Sequence, residues 1–139
     1  MNVLVDTNIF LDVLLERSAF LSESQKVLSW CESHPGSGWI AWHSLSNLAF
    51  IGKKMVGPRK TTLALEQILD CFQVAPVDTR EAKQALSFGF SDFEDAMQGA
   101  SAVSADAKWI LTRNVSDFKH SPVPALKPGP FLKKVETWG

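Results

Sequence analysis

The sequence predicts an α/β fold, a three-layer α/β/α sandwich with a central, mostly parallel sheet. Two observations lead there. Short apolar, β-prone runs recur at Val3–Val5, Trp39–Trp42, Phe72–Val77 and Trp109–Thr112. Between them lie segments whose apolar residues repeat at helical spacing. Strands that alternate with helices in this way form parallel sheets covered on both faces.

The elements follow in order. Val3 to Val5, with Asn2, form a buried strand that stops at Asp6, and Thr7 and Asn8 supply N-cap chemistry for a helix through Leu15. Ser22 to about Glu32 is a second helix with Val27, Leu28 and Cys31 on one face, ended by His34-Pro35-Gly36-Ser37-Gly38. After the strand Trp39–Trp42, a helix from about Ser44 turns Leu45, Leu48, Ala49 and Ile51 or Gly52 inward, and Gly57-Pro58 breaks it. Thr61 to Asp70 is helical, Phe72 to Val77 is a strand, and Thr79 opens a helix with Glu81 in its first turn. Ser91 and Glu94 have the spacing of a capping box for a helix to about Ala105. Trp109–Thr112 is the next strand, Pro122–Leu126 a short edge strand, and Phe131–Val135 a closing helical turn.

Composition bounds the function. The 139 residues suit one domain, 1–139, and are too few for two independent cores. With 45% hydrophobic and 21% charged residues, the chain is too apolar to be disordered. No apolar run approaches the ~18 residues of a membrane span, and Asp6 interrupts the first run before it could serve as a signal-peptide core. A soluble, cytoplasmic protein is expected. The net charge of −1 does not advertise nucleic-acid binding, so any such contact must come from a local basic patch. Cys31 and Cys71 read as buried thiols, in a helix interior and at a strand edge, with no metal-ligand spacing around them.

In parallel sheets ligands bind outside the carboxyl ends of the strands, and carboxylates gather at that edge. Asp6 ends the first strand; Asp92 and Asp95 lie in the first turns of one helix; Asp117 follows the strand Trp109–Thr112 by a short loop containing Asn114. Asp95 falls about 130° from the apolar stripe of its helix, free to face a cleft. Converging carboxylates raise one another's pKa unless a cation sits among them. A hard divalent ion such as Mg²⁺ takes oxygen ligands and bridges to phosphate. Each acid also has a plainer role: Asp6 and Asp117 as turn residues, Asp92 as a helix N-terminal acid, Glu94 as a capping residue. Lys53, Lys54, Arg59 and Lys60 flank the Gly57-Pro58 break and Arg113 lies at the active edge, so these are the candidate phosphate contacts. The lysines also suit a solvated helix end. His43 and His120 read as surface or structural residues, and the five tryptophans as core and interface bulk.

These residues resemble the PIN domain family. LVDTNIFLDVLL is similar to its opening strand, first acid and first helix, and SDFEDAMQGASAVSADAKWILTRNVSDF to its acidic helix, following strand and terminal acid. The resemblance spans nearly the whole chain and is nearest to the prokaryotic branch that includes VapC-type toxins. It implies one PIN-like domain and an Mg²⁺- or Mn²⁺-dependent ribonuclease with Asp6, Asp95 and Asp117 as catalytic and metal-holding acids. It further implies Thr112, Asn114 and Asp92 in support, an antitoxin partner and a homodimer. The family's early helix Glu is replaced in Ser44-Leu45-Ser46-Asn47, where Asn47 is the occupant, and Asn114 stands where many members carry Asp. Two readings compete. A catalytically weakened RNA- or protein-binding module would show no metal-dependent rise in melting temperature. An aspartate phosphatase would need a second Asp at position 8, which is Asn, and a phosphoreceiver would need paired acids and a late Lys that Thr112-Arg113 does not supply.

Overall fold

The computed structural model describes residues 1–138, with Gly139 outside the described residues. Five parallel strands, β1 (Val3–Val5), β2 (Gly38–Ile40), β3 (Gln73–Val74), β4 (Trp109–Leu111) and β5 (Ala125–Leu126), stand in the order β3-β2-β1-β4-β5. The chain builds outward from β1 through β2 to β3, then crosses back to place β4 on the other side of β1. The strand order therefore reverses between β1 and β4, and a crevice opens there at their carboxyl ends.

Seven helices cover the sheet: α1 (Thr7–Leu14), α2 (Leu21–Ser33), α3 (Trp42–Val56), α4 (Pro58–Cys71), α5 (Thr79–Ser87), α6 (Phe93–Ser104) and α7 (Pro128–Trp138). The alternation of β1 decides the layers. Val3 and Val5 pack into a core with Phe10, Val27, Cys31, Leu48, Phe72 and Phe131, which places α1, α2, α3 and α7 on that face. Leu4 packs on the opposite side with Ala102, Ala105, Ile110 and Phe118, under α6, and Ala85 joins Ala96 and Ala100 to hold α5 against α6. All three β1 side chains are fully enclosed, as a strand covered on both faces requires. Among the described residues no helix is long and apolar enough to cross a membrane.

Several boundaries differ from expectation for identifiable reasons. Asp6, not Thr7 or Asn8, caps α1, because its carboxylate already accepts the Thr7 N–H. The second strand ends at Ile40, and Trp42 opens α3 instead of closing the strand. Pro58 sits at the first position of α4, where its fixed φ suits a helix start, so α4 begins three residues early. Between α3 and α4 the chain turns at Gly57, whose φ of +90° is strained for any residue with a Cβ. Strand β3 is only two residues long, and β5 begins after Pro124, which has no N–H to donate. The cap of α6 is Asp92 rather than Ser91, and the closing element is an 11-residue helix rather than one turn. Cys71 ends α4 rather than lying on a strand. Both cysteines are free thiols, and burial pushes that of Cys31 up to about 12.

The α3–α4 hairpin depends on a close approach at Gly52. A Cβ there would meet Thr61 Oγ1 at 2.7 Å, Thr61 Cγ2 at 2.8 Å and Leu14 Cδ2 at 2.9 Å. Gly52→Ala is therefore expected to destabilise by about 1–2 kcal/mol in urea unfolding, the overpacking exceeding the helix preference for Ala. An unchanged or raised midpoint would show that the hairpin can open without loss.

Candidate active site

Three helices begin at the carboxyl edge of the sheet, and their first turns wall a cleft of about 290 Å³. From α1 come Thr7, Asn8 and Leu11, preceded by Asp6; from α3, His43, Asn47 and Ile51; from α6, Glu94, Asp95 and Gln98. The α3 residues recur every four positions, which keeps them on one stripe of the helix. Each helix points its N-terminus toward the cleft, and the partial positive charge there offsets some of the repulsion among the acids.

Asp6 is the most constrained of these groups. It is 6% exposed; one carboxylate oxygen accepts the Thr7 N–H at 2.8 Å, and the other accepts the Thr112 hydroxyl at 2.8 Å. Burial raises its pKa; the Thr112 and Thr7 hydrogen bonds and the Arg113 charge pull it down, and Asp117 adds to the rise. Asp95 is half-buried, and its pKa is pushed up to about 6 by burial first, then by Asp92, Asp6, Asp117 and Glu94. The geometry thus brings Asp6, Asp95 and Asn47 into one cleft, while Asp117 and Asp92 act on it through their charge. Asp92 also accepts the Asp95 N–H at 3.1 Å as the cap of α6.

The loop after β4 is tied to this centre at successive residues. Thr112, fully buried, donates to Asp6 and accepts the Asn114 N–H at 3.1 Å. The Asn114 carbonyl accepts the Asp117 N–H at 3.1 Å, starting a 3₁₀ turn over Val115–Phe118. Arg113 departs from its expected place as a phosphate contact. Its guanidinium forms a two-pronged pair with the fully buried Asp12, at 2.9 and 3.1 Å, and stacks 3.8 Å over the Phe20 ring. Ser24 donates to the same carboxylate at 2.8 Å and Arg17 reaches it at 3.4 Å. One edge of the guanidinium is thus given to Asp12 and one face to Phe20, which ties Arg113 to α1 and the α1–α2 connection. Lys53 and Lys54 lie exposed in the last turn of α3, the solvated helix end that their alternative reading described.

Sequence reasoning did not assign Gln98, His43 or Glu94 to the cleft. Gln98 is 2% exposed, and its amide donates to Thr7 Oγ1 at 3.0 Å and Ser44 Oγ at 2.8 Å; those two hydroxyls lie 2.6 Å apart. This triangle ties α1, α3 and α6 together under the acids and leaves Gln98 Oε1 buried without a partner. The available signal was a lone amide in the small-residue run Ala96–Ala102, since a buried polar group needs partners. His43 lines the cleft beside Glu94, rather than standing apart as a surface residue. Its pKa is lowered by burial, with Glu94 opposing. Glu94 itself faces the cleft instead of serving as the capping acid.

Chemically, the cleft offers Asp6, Asp95 and Glu94 carboxylates, the Asn47 amide and one imidazole. Among the described residues no three His, Cys, Asp or Glu side chains are already gathered in ligand geometry. The oxygen-rich donor set fits a hard cation such as Mg²⁺ and not a soft one; Asp6 and Asp95 are raised by burial first and by neighbouring acids second.

A parallel three-layer sandwich with an acidic cleft at its strand-order reversal is the class defined so far. The chain belongs to the PIN domain family, whose profile matches residues 2–116. Solved structures share this fold. One is VapBC2 from Rickettsia felis bound to a DNA fragment from its promoter, at 14% identity and TM-score 0.70 over 91% of this chain and 98% of that one. A toxin–antitoxin complex from Klebsiella pneumoniae matches at 22% identity and TM-score 0.69 over 91% and 98%. DNA-bound VapBC from Salmonella typhimurium matches at 16% identity and TM-score 0.70 over 92% and 98%. No curated protein matches by sequence.

Two outcomes follow from the electrostatics. Asp95 holds its proton more tightly in the folded state, at about 6 against an ordinary 3.8. Its contribution therefore favours folding at low pH and is lost as pH rises through 6. Asp95→Asn should raise the melting temperature at pH 7.5 by a few degrees and leave it nearly unchanged at pH 4. An equal shift at both pH values would remove charge repulsion as the cause. Arg113→Ala should cost about 3 kcal/mol in urea unfolding, because it strips the main partner from a buried carboxylate. Lys53→Ala should stay within about 0.5 kcal/mol.

Proposed function

We propose that the protein is a metal-dependent endoribonuclease of the cytoplasm and the toxin of a toxin–antitoxin pair. The observation that carries this reading is the pairing of Asp6 and Asp95, from separate elements, in one cleft where their charges oppose each other. Such an arrangement is costly for the fold alone and is relieved by a divalent cation, which can in turn bind the anionic phosphodiester. Asp6, Asp95 and Asp117 would hold Mg²⁺ or Mn²⁺, directly or through water, with Asn47 as a neutral oxygen donor. When bound, the metal supplies a water of lowered pKa and neutralises charge developing on the phosphate oxygens.

The chain's own groups do the positioning. Thr112 holds one Asp6 oxygen by a 2.8 Å hydrogen bond, which fixes the carboxylate plane. The Thr7 N–H holds the other, leaving the remaining lone pairs of both oxygens for the cleft. Asn114 anchors the turn that carries Asp117. In-line hydrolysis at such a centre leaves a 5′-phosphate and a 3′-hydroxyl. The VapBC and toxin–antitoxin complexes that share the fold support an antitoxin as partner, and we take the working form to be a homodimer.

The decisive experiment is cleavage of an end-labelled structured RNA by wild type, Asp6→Asn and Asp95→Asn with Mn²⁺, Mg²⁺ or EDTA. Cutting by wild type that needs metal and falls by two or more orders of magnitude in each variant is expected. Equal cutting by Asp6→Asn refutes the assignment. A folded wild type whose melting temperature ignores Mn²⁺ and which cuts no RNA would be a binding module, with Asn47 and Asn114 marking the lost charge.

A further inference from the structure

Trp42 differs from Trp30, Trp39 and Trp109, which are half-buried. It is 67% exposed at the start of α3, where the sequence suggested core or interface bulk. Together with His43, Val77, Ala82, Met97 and Ala100 it lines a second cavity, of about 100 Å³, between the α3 N-terminus and the α5–α6 pair. The acids at its edge are already engaged: Asp78 accepts the Arg80 N–H at 2.9 Å, and Glu81 accepts the Asp78 N–H at 2.9 Å. What the cavity presents is therefore mainly an indole and a set of aliphatic side chains. His43 also lines the acidic cleft, so one side chain separates the two spaces.

We propose that this cavity is a nucleobase subsite, in which the unpaired base next to the phosphate held in the acidic cleft stacks on Trp42. The proposal rests on the ribonuclease reading and adds a binding residue to it: an indole outside the acidic cleft that holds one base beside the cut. Size allows only partial entry. A space of about 100 Å³ is smaller than the cavity of about 150 Å³ that encloses benzene, so a base would lie with one face on the exposed indole and only its edge in the cavity. Chemistry argues for a base, because any nucleobase offers a π-face to an exposed indole and aromatic platforms are how proteins hold splayed single strands. Continuity through His43 argues for the position, since the base then belongs to a nucleotide adjoining the scissile phosphate.

The test is steady-state cleavage in Mn²⁺ of short single-stranded RNA by wild type, Trp42→Phe and Trp42→Ala. Parallel substrates carry one abasic nucleotide at each position flanking the cut. Trp42→Ala should raise KM about ten-fold, with kcat and the Mn²⁺-induced rise in melting temperature unchanged, and Trp42→Phe should keep most of the affinity. One abasic position should cost wild type the same factor and cost Trp42→Ala nothing more. Undiminished affinity in Trp42→Ala, or abasic losses equal in both proteins, overturns the subsite and leaves the nuclease reading standing. So does a fall in solution mass on Trp42→Ala, which would assign the residue to contact with a second copy of the chain. RNA that wild type neither binds nor cuts in Mn²⁺ overturns both readings together.

Discussion

A carboxylate at the end of the central strand sets the terms for everything around it. Asp6 is nearly enclosed, and enclosure alone would drive it toward the protonated form. The fold answers with hydrogen bonds from Thr112 and Thr7, a guanidinium nearby, and helix N-termini aimed at the cleft. Remove these and the group becomes a neutral acid in a crevice, with little power to bind a cation. The sheet order matters here because β1 and β4 are neighbours: the Asp6 N–H is held by the Leu111 carbonyl at 2.9 Å. The first acid and the residues that tune it are thus fixed in one hydrogen-bonded frame although they lie more than a hundred positions apart in sequence.

The Asp12–Arg113 pair belongs to the same frame. A buried ion pair is poor evidence of stability, since desolvation consumes most of its Coulomb attraction. Its value here is placement. Arg113 sits between Thr112, which holds Asp6, and Asn114, which starts the turn bearing Asp117. Anchoring it to Asp12, one and a half turns along α1, sets the loop after β4 against the helix that follows β1. The Phe20 ring under the guanidinium extends the anchor to the α1–α2 connection. The charge reads to Asp6 as a favourable field, so one residue serves both geometry and ionisation.

The sequence made the layered architecture legible because β1 and β4 carry unbroken apolar runs and Gly57-Pro58 punctuates the chain unambiguously. Asp6 and Asp95 were legible because strand ends and helix phase fix where a side chain leaves the backbone. Short edge strands were not: Phe72–Val77 is apolar enough for six strand residues, yet pairing with β2 sustains only Gln73 and Val74. Local patterning also could not separate Arg113 from a free surface arginine, because its partner Asp12 is a distant residue in a helix. The cleft roles of His43 and Gln98 escaped for a related reason. Each gains its role from neighbours on other helices, and neither breaks the local pattern strongly enough to announce it.

The neutral residues Asn47 and Asn114 invited the view that the site had lost charge. The assembled cleft changes that accounting. Asn47 faces it from α3, but Glu94 faces it from α6, one position before Asp95. The walls therefore still carry three carboxylates, with Asp117 and Asp92 near enough to raise Asp95. Burial first and the neighbouring acids second already lift Asp95 to about 6, and a fourth acid at position 47 would add to the repulsive part. A neutral amide there still offers an oxygen while sparing the other acids that penalty. The cleft walls thus keep three carboxylates, Asp6, Glu94 and Asp95, without an acid at position 47.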